Sequence, residues 1–213
     1  MDNATRDYTY LARDMSLTDG KPRFTGFQPA NDLAADLTSS KGPIESGRPL
    51  EFVMDEMELR RRDNWPGEIG HFNISGGDIL VSEGVRDLIA PLNIDGVTFF
   101  PAVLRDIYGE YIEPLYFLHI WKQQDITDFK NSEYLIPFDP ARDRFHRLVR
   151  IAPDNEKRQL LAANQRDIVR LEKVSSAAVL FTKELAGRLS VANMTAGAIF
   201  YPLKDWFEGI EFQ

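Results

Sequence analysis

Three histidines, His71, His119 and His146, are the residues best suited to moving protons or holding a metal near neutral pH. Their spacing supports neither role. No two stand four apart, as a metal pair on one helical face requires. His119 lies between Leu118 and Ile120 in an apolar run and reads as a structural residue. Ser75-Gly76-Gly77-Asp78 is too short for a phosphate-binding loop and has no Lys-Ser or Lys-Thr after it, so it reads as a turn. No Gly-x-Ser-x-Gly nucleophile elbow is present. Carboxylates are plentiful, and paired acids can perform acid–base chemistry. The densest set beside an apolar strand is Asp55, Glu56 and Glu58. A solvated charged face is the simplest reading of these acids. Their more credible functional reading is a protein-binding patch, because Trp65 follows and an aromatic can anchor an interface. Arg60-Arg61-Arg62 dilutes the local negative field. Trp121 and Trp206 read as buried or partly buried core residues.

The elements that must position these residues are short. Asp7 to Arg13 alternates Tyr8, Tyr10 and Ala12 with more polar neighbours, which predicts a strand. Asn31 to Leu37 has room for a turn or two of helix, and Leu50 to Met54 reads as a strand. Asp55 to Asp63 is charged enough for a short solvated helix. Strand patterns run from Val97 to Arg105 and from Tyr111 to Lys122, with Tyr108-Gly109-Glu110 as the hairpin tip between them. Asp125 to Tyr134 reads as a loop or short helix, and Pro137-Phe138-Asp139-Pro140 is expected to break any regular element. Phe145 to Ile151 and Asp167 to Val174 read as strands, and Asn155 to Asn164 as a helix.

Two stretches share one pattern. Ile79-Leu80-Val81-Ser82 leads to Asp95-Gly96-Val97-Thr98-Phe99-Phe100-Pro101, and Val179-Leu180-Phe181-Thr182 leads to Ala196-Gly197-Ala198-Ile199-Phe200-Tyr201-Pro202. Each reads as a strand end, a hydroxyl residue, a short amphipathic helix, a Gly turn and an aromatic strand ending in Pro. Val85, Leu88, Ile89 and Leu92 give the first helix its apolar stripe, and Leu185 and Leu189 give the second theirs. Ser82 and Thr182 are each expected to cap a helix. Pro101 and Pro202 are expected to limit pairing. The fold class is therefore α+β, a largely antiparallel twisted sheet with short helices, containing a duplicated helix-strand unit. An N-terminal strand and loop region, 1–69, adjoins or joins the domain 70–213, whose repeat copies fall near 79–103 and 179–203.

At 213 residues, 43% hydrophobic and 27% charged, the chain has the makeup of a globular protein with a core of its own. There is no cysteine, which excludes disulfides, thiol catalysis and Cys-ligated zinc. The first residues carry charges rather than an apolar leader, and no apolar run is long enough to span a membrane, so a cytoplasmic location is expected. The net charge of −8 opposes nucleic-acid binding and favours basic protein partners. No cofactor, metal or catalytic residue is expected from the motifs.

The runs Asp78-Ile79-Leu80-Val81-Ser82-Glu83, Arg86-Asp87-Leu88 and Asp95 to Val103 resemble the immunity protein eleven family of bacterial polymorphic toxin systems, formerly a domain of unknown function. So do Phe145-His146-Arg147-Leu148, Ile168-Val169-Arg170-Leu171, Leu180 to Leu185 and Gly197 to Leu203. The resemblance spans roughly residues 70–204. It implies an immunity protein of interbacterial competition, which binds and neutralises a cognate toxin or effector delivered by contact or by a secretion system. It carries no functional residue onto a position here. The partner would be a protein, with no nucleic acid and no membrane, and the oligomeric state is open. Asp55, Glu56, Glu58 and Trp65 are the candidate partner-binding residues. The alternative is a small metal- or carboxylate-dependent hydrolase that reverses toxin damage.

Overall fold

Side chains alternate between the two faces of a strand, and runs such as Ile79-Leu80-Val81 and Val179-Leu180-Phe181 are buried on both, so that period sorts them into layers. The computed structural model describes residues 7–14, 17–18, 21–22, 26–39, 48–55, 69–106, 108–139, 144–174, 178–208 and 210. Strands β1 (Tyr8–Arg13), β2 (Leu17–Thr18), β3 (Lys21–Pro22) and β4 (Phe27–Pro29) precede helix α1 (Asp32–Ser39). Next come β5 (Leu50–Met54), β6 (Phe72–Ser75), β7 (Asp78–Ser82), helix α2 (Glu83–Ile89), β8 (Val97–Arg105) and β9 (Tyr111–Ile120). The chain continues through β10 (Gln123–Gln124), β11 (Glu133–Asp139), β12 (Arg144–Arg150) and helix α3 (Asn155–Leu160). It closes with β13 (Ile168–Leu171), β14 (Val179–Thr182), helix α4 (Lys183–Val191) and β15 (Ala198–Pro202). Strands thus dominate and the helices are short, a mixed α and β fold.

Two large sheets carry the architecture. One has the order β4-β5-β8-β9-β7-β6, and its edge strands β4 and β6 come into contact, so it curls toward a barrel. The other has the order β10-β13-β14-β1-β15. Pairing is mostly antiparallel, with parallel steps at β5–β8 and β10–β13. The N-terminal strand β1 is interior to its sheet, between β14 and β15 from the other end of the chain.

The two sheets follow the same local path. In the first, hairpin β6–β7 feeds α2, β8 returns, and β9 lies between β7 and β8. In the second, hairpin β13–β14 feeds α4, β15 returns, and β1 lies between β14 and β15. The registers agree residue for residue. Phe117 faces Leu80 on one side and Phe100 on the other, while Tyr10 faces Leu180 and Tyr201. The turns agree as well. Asn93 and Asn193 are left-handed, Gly96 and Gly197 have φ of 86° and 88°, and the next strand's amide, Trp121 or Asp14, donates to the Gly96 or Gly197 carbonyl.

Alternation sends one face of each sheet into a shared core. Phe72, Val81, Val85, Ile89 and Leu118 from the first sheet and its helix pack with Leu11, Ile168, Phe181, Leu185 and Leu189 from the second. The opposite faces build separate cores. Phe27, Phe52, Leu80, Phe100 and Phe117 fill the curled sheet, with Ala34 of α1 closing it. Tyr8, Val169, Leu180 and Trp206 pack with Ile126, Leu148 and Ile151 outside the second sheet.

Two expectations about proline need correction. β8 continues through Pro101 to Arg105, because pairing with β5 begins only at Ala102, one residue beyond the missing N–H. β11 runs through Pro137, where a register shift between Ile136 and Phe138 absorbs the lost donor. The two-residue β2–β3 pairing and the β11–β12 hairpin form small separate sheets. The stretch expected to be a charged helix after Asp55 lies outside the described residues.

The sheets meet by backbone where β6 begins. The Phe72 amide donates to the Ala196 carbonyl at 2.9 Å. A Cβ on Gly197 would collide with the Phe72 carbonyl, and one on Gly70 with the Ala196 carbonyl. Gly109, at φ 86°, has open space around it. Gly197→Ala is therefore expected to cost more than about 2 kcal/mol, from both strain and collision, against about 1 kcal/mol for the strain-only Gly109→Ala. Thermal unfolding of the two variants checks the difference, and equal losses would remove the close approach as its cause.

Candidate functional site

Each hydroxyl residue that ends a strand before a helix is tied to the residue preceding the partner strand. Thr182 Oγ1 accepts from the Leu185 amide at 3.3 Å and donates to Asp167 Oδ1 at 3.1 Å, so it caps α4 as expected. Ser82 does not cap α2. Its Oγ lies 2.7 Å from His71 Nδ1 instead, and the imidazole takes the hydroxyl away from the helix amides. The backbones match: the Ser82 amide donates to the His71 carbonyl at 3.0 Å, and the Thr182 amide to the Asp167 carbonyl at 2.9 Å. A hydroxyl beside an imidazole is the first requirement of an activated nucleophile. Here the Thr182–Asp167 pair makes the same tie with a carboxylate, which marks both as locks on the strand-to-helix corner.

The other histidines serve packing or lie beyond description. His119 is buried, its ring centroid 5.9 Å from that of Phe117 and 6.0 Å from that of Phe100, as expected of a structural residue. The His146 side chain is outside what is described. Trp206 is buried and stacked on Tyr10 at 4.2 Å and Trp121 is half-buried, both within the buried or partly buried placement expected of them. Among the described residues no three His, Asp or Glu side chains gather in a way that could hold a metal ion. No helix among them is long and apolar enough to cross a membrane.

Of the proposed partner-binding residues, only Asp55 is described. It is half-buried in the turn after β5, and its amide donates to the Gly26 carbonyl at 3.1 Å. Glu56, Glu58 and Trp65, with Arg60 to Arg62, lie outside the described residues, so the patch is not assembled here. Asp55 nonetheless marks an end of the curled sheet. β5 and β8 run parallel, Val53 opposite Arg105, so Asp55 and the β8–β9 tip emerge at the same end.

That tip is the best-defined exposed feature, and the sequence reading passed over its side chains. Asp106 Oδ1 accepts from the amides of Tyr108 and Glu110, both at 2.8 Å. The Asp106 carbonyl accepts from the Gly109 amide at 3.1 Å, and its own amide donates to the Glu110 carbonyl at 2.8 Å. Gly109 supplies the positive φ the turn needs. On this braced turn Tyr108 is 59% and Tyr111 60% exposed. Asp-x-Tyr-Gly-Glu-Tyr is legible as a turn flanked by aromatics, but only the structure shows that both rings point to solvent.

Two further polar groupings complete the picture. A shallow groove of about 350 Å³ runs beside α2, lined by Arg86, Asn93, Thr98 and Phe99. Its cation is already committed: the Arg86 guanidinium lies over the Tyr116 ring at 4.1 Å, donates to Glu83 at 2.8 Å and forms an ion pair with Asp87 at 2.6 Å. Between the sheets, the Arg170 side chain donates to the Gly77 carbonyl beside Asp78. Burial pushes the Asp78 carboxyl up to about 6, against the opposing pull of the Arg170 charge.

No known protein family matches the chain, and no curated protein is similar to it.

The Asp78 environment sets a pH dependence. A carboxyl raised from 3.8 to about 6 holds its proton more tightly in the folded chain. Its contribution is fully present below the unfolded value and is lost as pH rises through the folded one. Asp78→Asn, a neutral mimic of the protonated acid, is expected to stabilise by about 1–3 kcal/mol at pH 7 and by little at pH 4. Denaturant unfolding at both pH values checks this, and a gain that is the same at each would show that Asp78 titrates normally.

Proposed function

We propose that this protein is an immunity protein that binds a cognate bacterial toxin or effector domain and holds it inactive. What supports the reading is the resemblance, over roughly residues 70–204, to the immunity protein eleven family, which includes runs within 78–103 and 180–203. Those stretches are the strand–helix–strand paths that flank the shared core. A net charge of −8 suits a binder of basic protein surfaces.

In this reading the two paths are copies of one unit used twice, joined face to face through the common apolar layer. The matched registers at Phe117 and Tyr10 support that, as do the paired left-handed turns. The interleaved strand comes from the next segment in one copy and from the opposite end of the chain in the other. This construction turns both main helices inward, where Val85, Ile89, Leu185 and Leu189 are buried. Strand ends and hairpin tips are left to meet a partner.

Inhibition by occlusion is stoichiometric. Titrating the protein into an activity assay of the toxin domain encoded by the neighbouring gene is expected to abolish activity near one-to-one. Protection at trace ratios, or rescue of a target already damaged, would instead identify an enzyme that reverses the damage.

A further inference from the structure

We infer that the β8–β9 hairpin tip is the partner-docking surface, and that its partner is a protein face carrying positive charge with hollows for two tyrosine rings. This rests on the toxin-binding reading above and names the surface that performs it.

Four observations converge on the tip. Among the described residues, Tyr108 and Tyr111 are two of the large hydrophobic side chains left exposed, Tyr108 in the turn and Tyr111 at the start of β9. Isolated exposed aromatics are ordinary, whereas a pair on one projecting element is the equipment of an interface. Tyrosine also places large contact area at low entropic cost, since it has few rotatable bonds. The turn is cross-braced, because the Asp106 carboxylate and carbonyl together accept three amides. A braced turn has little freedom left to lose on binding. The charge is one-sided: Asp106, Glu110 and Glu113 stand against Arg105 alone, which leaves two net negative charges over residues 105–114. Glu110, Glu113 and Arg105 are all exposed, so this field reaches solvent. Acids ringing two aromatics complement a cationic surface, with charge speeding encounter and the rings slowing departure.

Other candidates do not converge in this way. The groove beside α2 has its arginine stacked and doubly paired. The Lys122–Asp95–Gln165 cluster is internally satisfied, with Asp95 Oδ2 accepting at 2.5 and 2.6 Å.

The test measures binding of the purified full chain to the toxin domain of the neighbouring gene by surface plasmon resonance, at two salt concentrations. The double variant Tyr108→Ala/Tyr111→Ala is expected to weaken binding at least about 30-fold, mainly through faster dissociation. Glu110→Gln/Glu113→Gln is expected to slow association about tenfold at low salt and to flatten its salt dependence. Both variants should unfold at the wild-type temperature, because the replaced side chains are exposed. A partially destabilised tyrosine variant is replaced by Tyr108→Ser/Tyr111→Ser, which keeps a polar turn. If the wild type binds and the tyrosine variants bind equally well, the tip is not the docking surface while the immunity reading stands. If the wild type itself does not bind, the immunity reading falls and the tip assignment falls with it.

Discussion

Phe72, Val81 and Leu118 of the curled sheet meet Leu11, Ile168 and Phe181 of the second sheet in one apolar layer, with Val85 and Leu185 of the two helices packed in. The aromatic contacts inside it are edge-on: Phe72 to Phe181 at 6.3 Å, Phe72 to Phe200 at 5.7 Å, and Phe181 to Phe200 at 5.3 Å. Much else is constrained by this layer. Strand residues alternate faces, so committing Val81 and Phe181 inward commits Leu80 and Leu180 to the opposite cores. A slip of one residue in any of these strands would turn its apolar set to the wrong side. The registers of both sheets are thereby coupled through side chains that lie between them.

The coupling extends to the backbone. Gly197 sits at φ 88° with the Phe72 carbonyl against its Cα, and the Phe72 amide bonds the residue before it. Such an approach needs glycine for two reasons: the left-handed backbone and the missing Cβ. Gly96 meets the same conformational demand in the other sheet, but there it is the Lys122 side chain that stands where a Cβ would be. The chemistry near these corners is divided in a similar way. Thr182 caps its helix while bonded to Asp167, and Ser82 gives its hydroxyl to His71. The same corner is thus held with a carboxylate in one place and an imidazole in the other.

With both long apolar faces consumed by cores, what stays exposed is what the cores cannot use. The β8–β9 pairing extends beyond β7, whose last partner is Leu115, while β5 accompanies β8 as far as Arg105, so the turn after Arg105 stands beyond the paired strands. A sheet interior needs alternation and satisfied ladders, whereas a turn braced by one aspartate can carry exposed rings at little cost to the fold.

Sequence alone determined the local features. Hydroxyl residues before the helices, glycines at turns, the strands from Val97 and Ala198, the hairpin at Tyr108-Gly109-Glu110 and the structural role of His119 were all legible, because each depends on neighbours a few residues away. The acid-rich set at Asp55, Glu56 and Glu58 shows where charge is dense, but composition does not say which side chains share a surface. Only the tertiary structure decided that β1 and β9 take the same position in their sheets, that β6 and β13 complete hairpins, that Pro137 is carried inside a strand, and that Ser82 turns to His71 rather than to its helix. It also decided which aromatics stay in water, exposing Tyr108 and Tyr111 while burying Tyr8 and Phe117. The physical reason is the reach of the interactions. A period of two tells a residue which face it occupies but not which strand lies beside it, and Tyr8 meets Thr182 across nearly the whole chain.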